Sequence, residues 1–528
     1  TGLAAPLGQA LTAAGGRWQG PVVVATAAAV ILIAVVPPLI ATFGQVIGAK
    51  DVLAPFATAQ LWLLLARSLA LAAAVTALSL VVGVPLGILF ARAHLPLQRL
   101  LFAAHLSILF LPPFLPTLGW FHVFGRDGYL GGPLSAAILF SDVGLVLVLT
   151  NALLPAVTAL TAIGARGIDA SLEEAARVAG GPWRAAAFVV VPTAAPAIAL
   201  AGVIVFALAF SELGVPMFLR VDVYPELVFS RLGGMDFAPG EAAALALPLV
   251  VLAAALLWIE QRLAGGRAVA ALGGGGLGVR APLFAFRPWM LGVGLIAASI
   301  SLAPIAALLV HGAERGGLLE AGRWIGAAPV NSLLASSLAA TFMVMAGAIL
   351  GVSLARQGVV GVWLDRIAVL AFVLPAAILG VGIAYAWNRP ATNWLYASVL
   401  VLVVAYVARY SALATRTVAA AVAQTPRSLD DAARTVGAGY FDRLRLQLGM
   451  APQALIGAFA LALVFSLRDL ETAVLLYPPG GEPLTARIFT LEANGPAGVV
   501  SALAALHMLI TFMAVGLAWF ALRPRASA

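Results

Sequence analysis

The feature that most constrains this chain is its succession of uninterrupted apolar runs, each about as long as a bilayer is thick. Leu249 to Trp258 contains only Leu, Val, Ala and Trp, and similar runs recur between short breaks of polar, Gly or Pro residues. A helix needs about 20 mainly apolar residues to cross the hydrocarbon core, and the chain holds roughly a dozen such windows. Barrel strands would alternate apolar and polar residues over about 10 positions, a pattern absent here. Composition agrees: 62% of residues are hydrophobic, 10% are charged and the mean hydropathy is +1.05. No soluble core hides that much apolar surface. The expected fold class is therefore an all-α polytopic membrane protein of about 12 helices.

The formal charge of +8 does not point to nucleic acid, because the arginines are scattered between apolar segments rather than gathered on one polar face. With no cysteine, disulfides, thiol nucleophiles, Fe–S clusters and cysteine-ligated zinc are excluded. Thr1 to Gly20 lacks the charged start and small-residue cleavage site of a signal peptide, so it reads as a tail ahead of the first span.

Hydropathy places six spans at Pro21 to Ala41, Arg67 to Ala91, Leu97 to Phe121, Val143 to Ile163, Phe188 to Phe210 and Ala242 to Ile259. Six more follow at Pro288 to Val310, Asn331 to Ala355, Ile367 to Ala386, Trp394 to Ala414, Met450 to Leu470 and Val499 to Leu522. Between the halves 1–262 and 288–528 lies a Gly-rich linker, 263–287, with four consecutive glycines at Gly273 to Gly276. With both termini on the cytoplasmic side, roughly two-thirds of the Lys and Arg fall on inside segments, as the positive-inside rule requires.

The halves repeat. Arg67-Ser68-Leu69 through Arg92 aligns without gaps on Asn331-Ser332-Leu333 through Arg356, 264 residues on. Ser171 to Arg177, SLEEAAR, aligns on Ser428 to Arg434, SLDDAAR, and Phe206 to Gly214 aligns on Leu463 to Glu471, both 257 residues on. Six spans is an even number, so the copies share one orientation about an axis along the membrane normal, with a passage between them.

Each acidic-Ala-Ala segment sits in an inside loop just before the fifth span of its half. Ser171 or Ser428 is expected to cap a short helix, the acidic pair Glu173-Glu174 or Asp430-Asp431 falls in its first turn, and Gly180 or Gly437 ends or bends it. One such interfacial helix is a common anchoring device; two at a fixed spacing indicate a paired docking element.

On these residues the chain resembles the permeases of binding-protein-dependent ATP-binding-cassette importers, whose signature is an EAA-then-Gly loop. Here the loops are 171–184, with Glu174-Ala175-Ala176 and Gly180, and 428–445, with Asp431-Ala432-Ala433 and Gly437. The first copy reaches Pro192 one residue early and the second has Gly449-Met450 where the family places Leu-Pro, so the two docking sites are unequal. The resemblance implies the type I importer fold in two pseudo-symmetric six-helix halves, loop helices that couple to two copies of a nucleotide-binding ATPase subunit, and a soluble or lipid-anchored solute-binding protein on the other side of a bacterial inner membrane. It implies no cofactor on this chain, ATP and Mg being held by the ATPase subunits. Independently, a phosphate-binding loop needs Gly-Lys-Ser/Thr, and the single lysine, Lys50, precedes Asp51.

Ionisable residues inside spans are costly and mark pathways. Glu212 and the group Arg468, Asp469 and Glu471 lie at the equivalent ends of the fifth spans. Two readings stand. In one, these are interfacial anchors near the outer surface, with an Arg468 to Glu471 pair at i, i+3. In the other, they line the mouth of the passage, and their resemblance to the iron(III), phosphonate, thiamine and polyamine branch of the family, together with a net acidic ring, favours iron(III) or a related small ion or metabolite as solute. His94, His105, His122, His311 and His507 show no metal-ligand spacing. Gly83 with Gly87 and Gly347 with Gly351 read as helix-packing pairs. A twelve-span secondary transporter with parallel repeats is the competing architecture, but it gives no reason for a duplicated acidic-Ala-Ala helix.

Overall fold

The computed structural model describes residues 4–48, 54–168, 170–233, 239–264, 283–314 and 316–522. The centre of the Gly-rich linker, including Gly273 to Gly276, lies outside the described residues.

Among the described residues nine helices are long and apolar enough to cross a membrane, and three bent pairs bring the number to as many as 12. These correspond one to one with the twelve sequence windows, and we number them spans 1 to 12. Spans 1, 2, 4, 5 and 6 are Gly20–Thr42, Ala59–Arg92, Asp142–Arg166, Leu172–Ser211 and Gly240–Ile259. Spans 7, 8, 10 and 12 are Pro288–Glu314, Ala328–Ala355, Leu400–Val422 and Ala497–Ala521. The segment ahead of span 1 is helical and continuous with it, one helix running from Ala4 to Gly48.

Two of the windows are broken within their length, and a third bends at its start. Span 3 breaks between Gln98–Phe110 and Phe114–Phe124 with a bend of 106°, and its counterpart, span 9, breaks between Val359–Val373 and Ala376–Trp387 with a bend of 108°. Pro112-Pro113 and Pro375 sit at these breaks. Proline lacks an amide hydrogen and forces the residue before it out of the helical region, so the chain turns there. Span 11 bends by 79° between Tyr440–Gly449 and Pro452–Leu467, again at a proline. Span 5 instead kinks at Gly181, whose φ of 77° is non-helical, and a π-helical turn at Ala186–Val190 then carries the chain on.

Within each half the same packing recurs. Spans 2, 4 and 5 form one triad and spans 8, 10 and 11 the other. The small-residue pairs let backbones close up: a Cβ on Gly87 would meet the Thr158 carbonyl at 2.7 Å, and one on Gly351 the Thr415 carbonyl at 2.8 Å. Ser68 Oγ accepts from the Tyr224 amide at 2.8 Å, and Ser332 Oγ accepts from the Leu484 amide at 2.7 Å. The repeat thus reaches down to single hydrogen bonds.

The first span of each half packs on the other half. Span 1 lies along span 9 and span 7 along span 3. A Cβ on Gly382 would stand 2.2 Å from the Pro38 carbonyl oxygen, and one on Gly119 2.2 Å from that of Pro304. Both contacts are backbone to backbone, possible only because glycine leaves the space empty. Core residues Ile31 and Val35 of span 1 accordingly cluster with Ala339 and Tyr406 of the second half. Met290 and Ala297 of span 7 cluster with Phe90 and Leu101 of the first.

Candidate functional site

The two loop helices present the same face. Ala170–Ala185 and Arg427–Thr435 are helical, and each begins one residue before the serine expected to cap it. Ser171 and Ser428 therefore lie inside the first turn; Pro426, with its restricted φ, occupies the cap position of the second helix. In both copies the first acid is buried and the second exposed: Glu173 and Asp430 turn in, Glu174 and Asp431 turn out. Ala175 and Ala432 are exposed and Ala176 and Ala433 half-buried, so small side chains border the outward acids. Val178 is 87% exposed and Val436 83%, apolar tips that no described residue covers. The expected glycine bend falls at different places: Gly437 takes a left-handed φ of 80°, but in the first copy Gly181 does so, at 77°, and Gly180 stays helical. The extra glycine moves the hinge by one residue.

The inward acids hold the loop helices to the body of the protein. Glu173 forms an ion pair with Arg92 at the end of span 2, both side chains nearly sealed from solvent. Asp430 accepts two hydrogen bonds from Arg443, at 2.8 and 2.9 Å, and one from Gln447 at 3.0 Å. It also pairs with Arg434 at 3.0 Å. The Arg443 hydrogen bonds hold the Asp430 carboxyl below its usual range.

The four fifth-span charges come together, but not at an interface. Asp469 and Glu471 are buried with Arg468. They close on Arg409, which lies nine residues into span 10, about 14 Å from its start at 1.5 Å per residue. Arg409 donates to Glu471 Oε2 at 2.8 Å and lies 3.7 Å from Asp469. Tyr410 and Thr472 donate to Asp469 Oδ2, both at 2.8 Å. The anchoring reading fails here, since snorkelling groups would stay wet. The Arg468 to Glu471 pair is also absent, because Arg468 instead donates to the Leu109 carbonyl of span 3. Glu471 Oε1 accepts from the Leu213 amide at 3.0 Å, so the knot ties the break after span 11 to the break after span 5. Glu212, half-buried, lines with Arg468 and Asp469 a space of about 40 Å³, room for about one water.

Sequence reading left Arg409 out. Its signal was available: an arginine in the middle of a span demands a buried carboxylate, and Asp469 and Glu471 after span 11 supply it.

A second, larger space of about 610 Å³ separates the halves. Leu160 and Leu200 line it from the first half and Phe372 and Leu413 from the second, with Gln424 and Gln453 at the end nearer the loop helices. Phe465 borders both spaces, so the charged knot stands at the far end of this cavity. Among the described residues no cluster of three or more His, Asp or Glu is arranged to hold a metal ion. His105 is satisfied by Ser301 and Thr158 at 3.0 and 3.2 Å.

A family profile described as "Binding-protein-dependent transport system inner membrane component" matches residues 343–525. The molybdenum transport system permease protein ModB of Mycobacterium bovis is 32% identical over 202 residues, 35% of this chain and 72% of that protein. A putative 2-aminoethylphosphonate transport system permease protein, PhnV, of Salmonella paratyphi A is 26% identical over 184 residues, 34% of this chain and 69% of that protein.

Proposed function

The chain belongs to the family of binding-protein-dependent transport-system inner-membrane components, and on that premise we propose that it is the transmembrane permease subunit of an ATP-binding-cassette importer, whose cavity between the halves is the translocation pathway. The observation that carries this reading is the duplicated loop helix, which turns one acid inward and one outward at equivalent positions in both halves. Glu174, Ala175 and Val178, with Asp431, Ala432 and Val436, form the surface that two ATPase subunits grip. Glu173 and Asp430 hold those surfaces to the body, and Gly181 and Gly437 set their angle. ATP hydrolysis takes place on the ATPase subunits, and both termini lie on their side of the membrane.

In this reading the cavity is open toward the loop helices and closed at the other end by the knot of Glu212, Arg409, Arg468, Asp469 and Glu471. A binding protein delivers solute outside that closure. ATP binding draws the loop helices together, the halves rock as rigid bodies, and the closure parts. The solute is a small ion or charged metabolite, because the closure it must pass is built of both signs of charge. Iron(III), favoured by the sequence resemblance, finds no support in relatives named for molybdenum and 2-aminoethylphosphonate.

Purification alone and with candidate ATPase subunits tests the reading. The chain alone should not hydrolyse ATP, and the complex should do so with vanadate sensitivity. Replacing Glu174 and Asp431 with lysine should abolish binding of the ATPase subunits while leaving the chain folded. Unchanged association in that double variant would sink the assignment of the docking surface.

A further inference from the structure

Arg92 and Arg356 occupy the same place in the repeat, 264 residues apart at the loop-helix ends of spans 2 and 8. Each reaches toward the inward acid of its own half's loop helix. Arg92 pairs with Glu173 directly. Arg356 Nε donates to Gln447 Oε1 at 3.2 Å, and Gln447 Nε2 passes the contact on to Asp430 at 3.0 Å. Arg356 is braced further by Thr425, through its carbonyl at 3.4 Å and its hydroxyl at 3.2 Å.

Arg92 is tied on a second side. Its carbonyl accepts from the Leu283 and Phe284 amides at 2.8 and 3.2 Å, which pins the segment leading into span 7. Trp183, at the end of the first loop helix, packs on the same segment through Phe284 and Trp289, with ring centroids 4.9 and 6.3 Å apart. At the matching place in the second half, Tyr440 packs against Gly20 of span 1. The first loop helix therefore touches its own second span and the exchanged first span of the other half; in the second half the helix Tyr440–Gly449, which follows the loop helix and holds Asp430 through Arg443 and Gln447, makes both contacts.

We propose that Arg92 and Arg356 are positioning residues that transmit the stroke: through them, displacement of a loop helix is delivered to span 2 or span 8, and not solely to span 5 or 11, with which the loop helix is continuous. The claim rests on the permease reading and deepens it. A loop helix attached only through its own chain could swing at Gly181 or Gly437 without moving the rest of its half. A buried ion pair to the second span removes that freedom, since separating it would strand a charge away from water. The direct link in the first half is the stiffer of the two. In the second, Asp430 keeps Arg443 and Arg434 if Arg356 is lost.

The chain has no cysteine, so spin labels at L63C and L334C, exposed positions toward the far ends of spans 2 and 8, report those spans alone. The experiment uses the complex of labelled chain and ATPase subunits in lipid nanodiscs, with ATP and vanadate as the probe. The parent should show a change in the label-to-label distance on trapping. R92Q should still bind the ATPase subunits and hydrolyse ATP, yet lose most of that change; R356Q should lose less; R92E/E173R, which restores the pair with its signs exchanged, should recover it. A full change in R92Q, or a loss that R92E/E173R does not recover, overturns the proposal. Failure of the parent chain to bind any ATPase subunit would overturn the permease reading itself, a separate outcome.

Discussion

The breaks after span 5 and after span 11 are equivalent in the repeat, and they are built in opposite ways. The first, Ser211 to Gly214, brings one ionisable side chain, Glu212, half open to its surroundings. The second brings Arg468, Asp469 and Glu471, recruits Arg409, Tyr410 and Thr472, and buries them all. The loop helices differ in the same sense: Glu173 pairs with Arg92, whereas Asp430 is held by Arg434, Arg443 and Gln447. Duplication preserved the backbone plan, including the Ser68 and Ser332 hydrogen bonds, while charge accumulated on one side. The second half is the braced one, and the first is held at fewer points.

The sharpest way to break that comparison is to remove Arg409. Arg409→Ala leaves Asp469 and Glu471 buried without their countercharge, at a cost of about 3–5 kcal/mol. Glu212→Ala at the equivalent break should cost far less. Thermal unfolding of the two variants in detergent checks this, and equal midpoints would mean that the halves are not differently braced. Next in size, Asp430→Ala strips the acceptor from Arg443, Arg434 and Gln447, and should lower the protection of 427–435 in hydrogen exchange by about 1–3 kcal/mol. Asp431→Ala should leave that protection unchanged.

Ser68→Ala and Ser332→Ala serve as the symmetric control. Each deletes one buried hydrogen bond, worth about 1 kcal/mol, and the two losses of stability should match; a large inequality would show that the shared backbone plan is not shared in energy. The smallest effect is that of acid. Because Asp430 titrates below its usual value when folded, its contribution is fully present above the unfolded value of about 3.9. That contribution is lost as pH falls through the lower folded value. Hydrogen exchange over 427–435 should therefore be flat from pH 7 to about 5, after correction for intrinsic rates, and rise only in stronger acid.

Much of this architecture was legible in the residues. Apolar run length marked all twelve spans, the spacings of 264 and 257 paired them, and the acidic-Ala-Ala segments located both loop helices. The bends in spans 3 and 9 escaped a hydropathy reading, although the prolines were in view, because proline within a long apolar window is compatible with either a kink or a straight continuation. Which acid of each pair turns inward also escaped, since adjacent residues on a short helix carry the same charge and differ only in what stands beside them. Arg92 and Arg356 read as topology signals for the same reason: an arginine at a span end meets the positive-inside rule whether or not a carboxylate waits for it.

By itself the sequence determined that this chain crosses a membrane many times and carries part of its pattern twice, with a matching polar helix in each copy. Those are properties of local composition and period, and water and lipid impose them segment by segment. Only the tertiary structure decided that spans 1 and 7 exchange halves, that Arg409 joins the knot, and that Arg92 holds Glu173. Such contacts join segments far apart in the chain. They depend on backbones meeting at Gly119 and Gly382 and on buried charges finding partners far along the chain, which no window of neighbouring residues encodes.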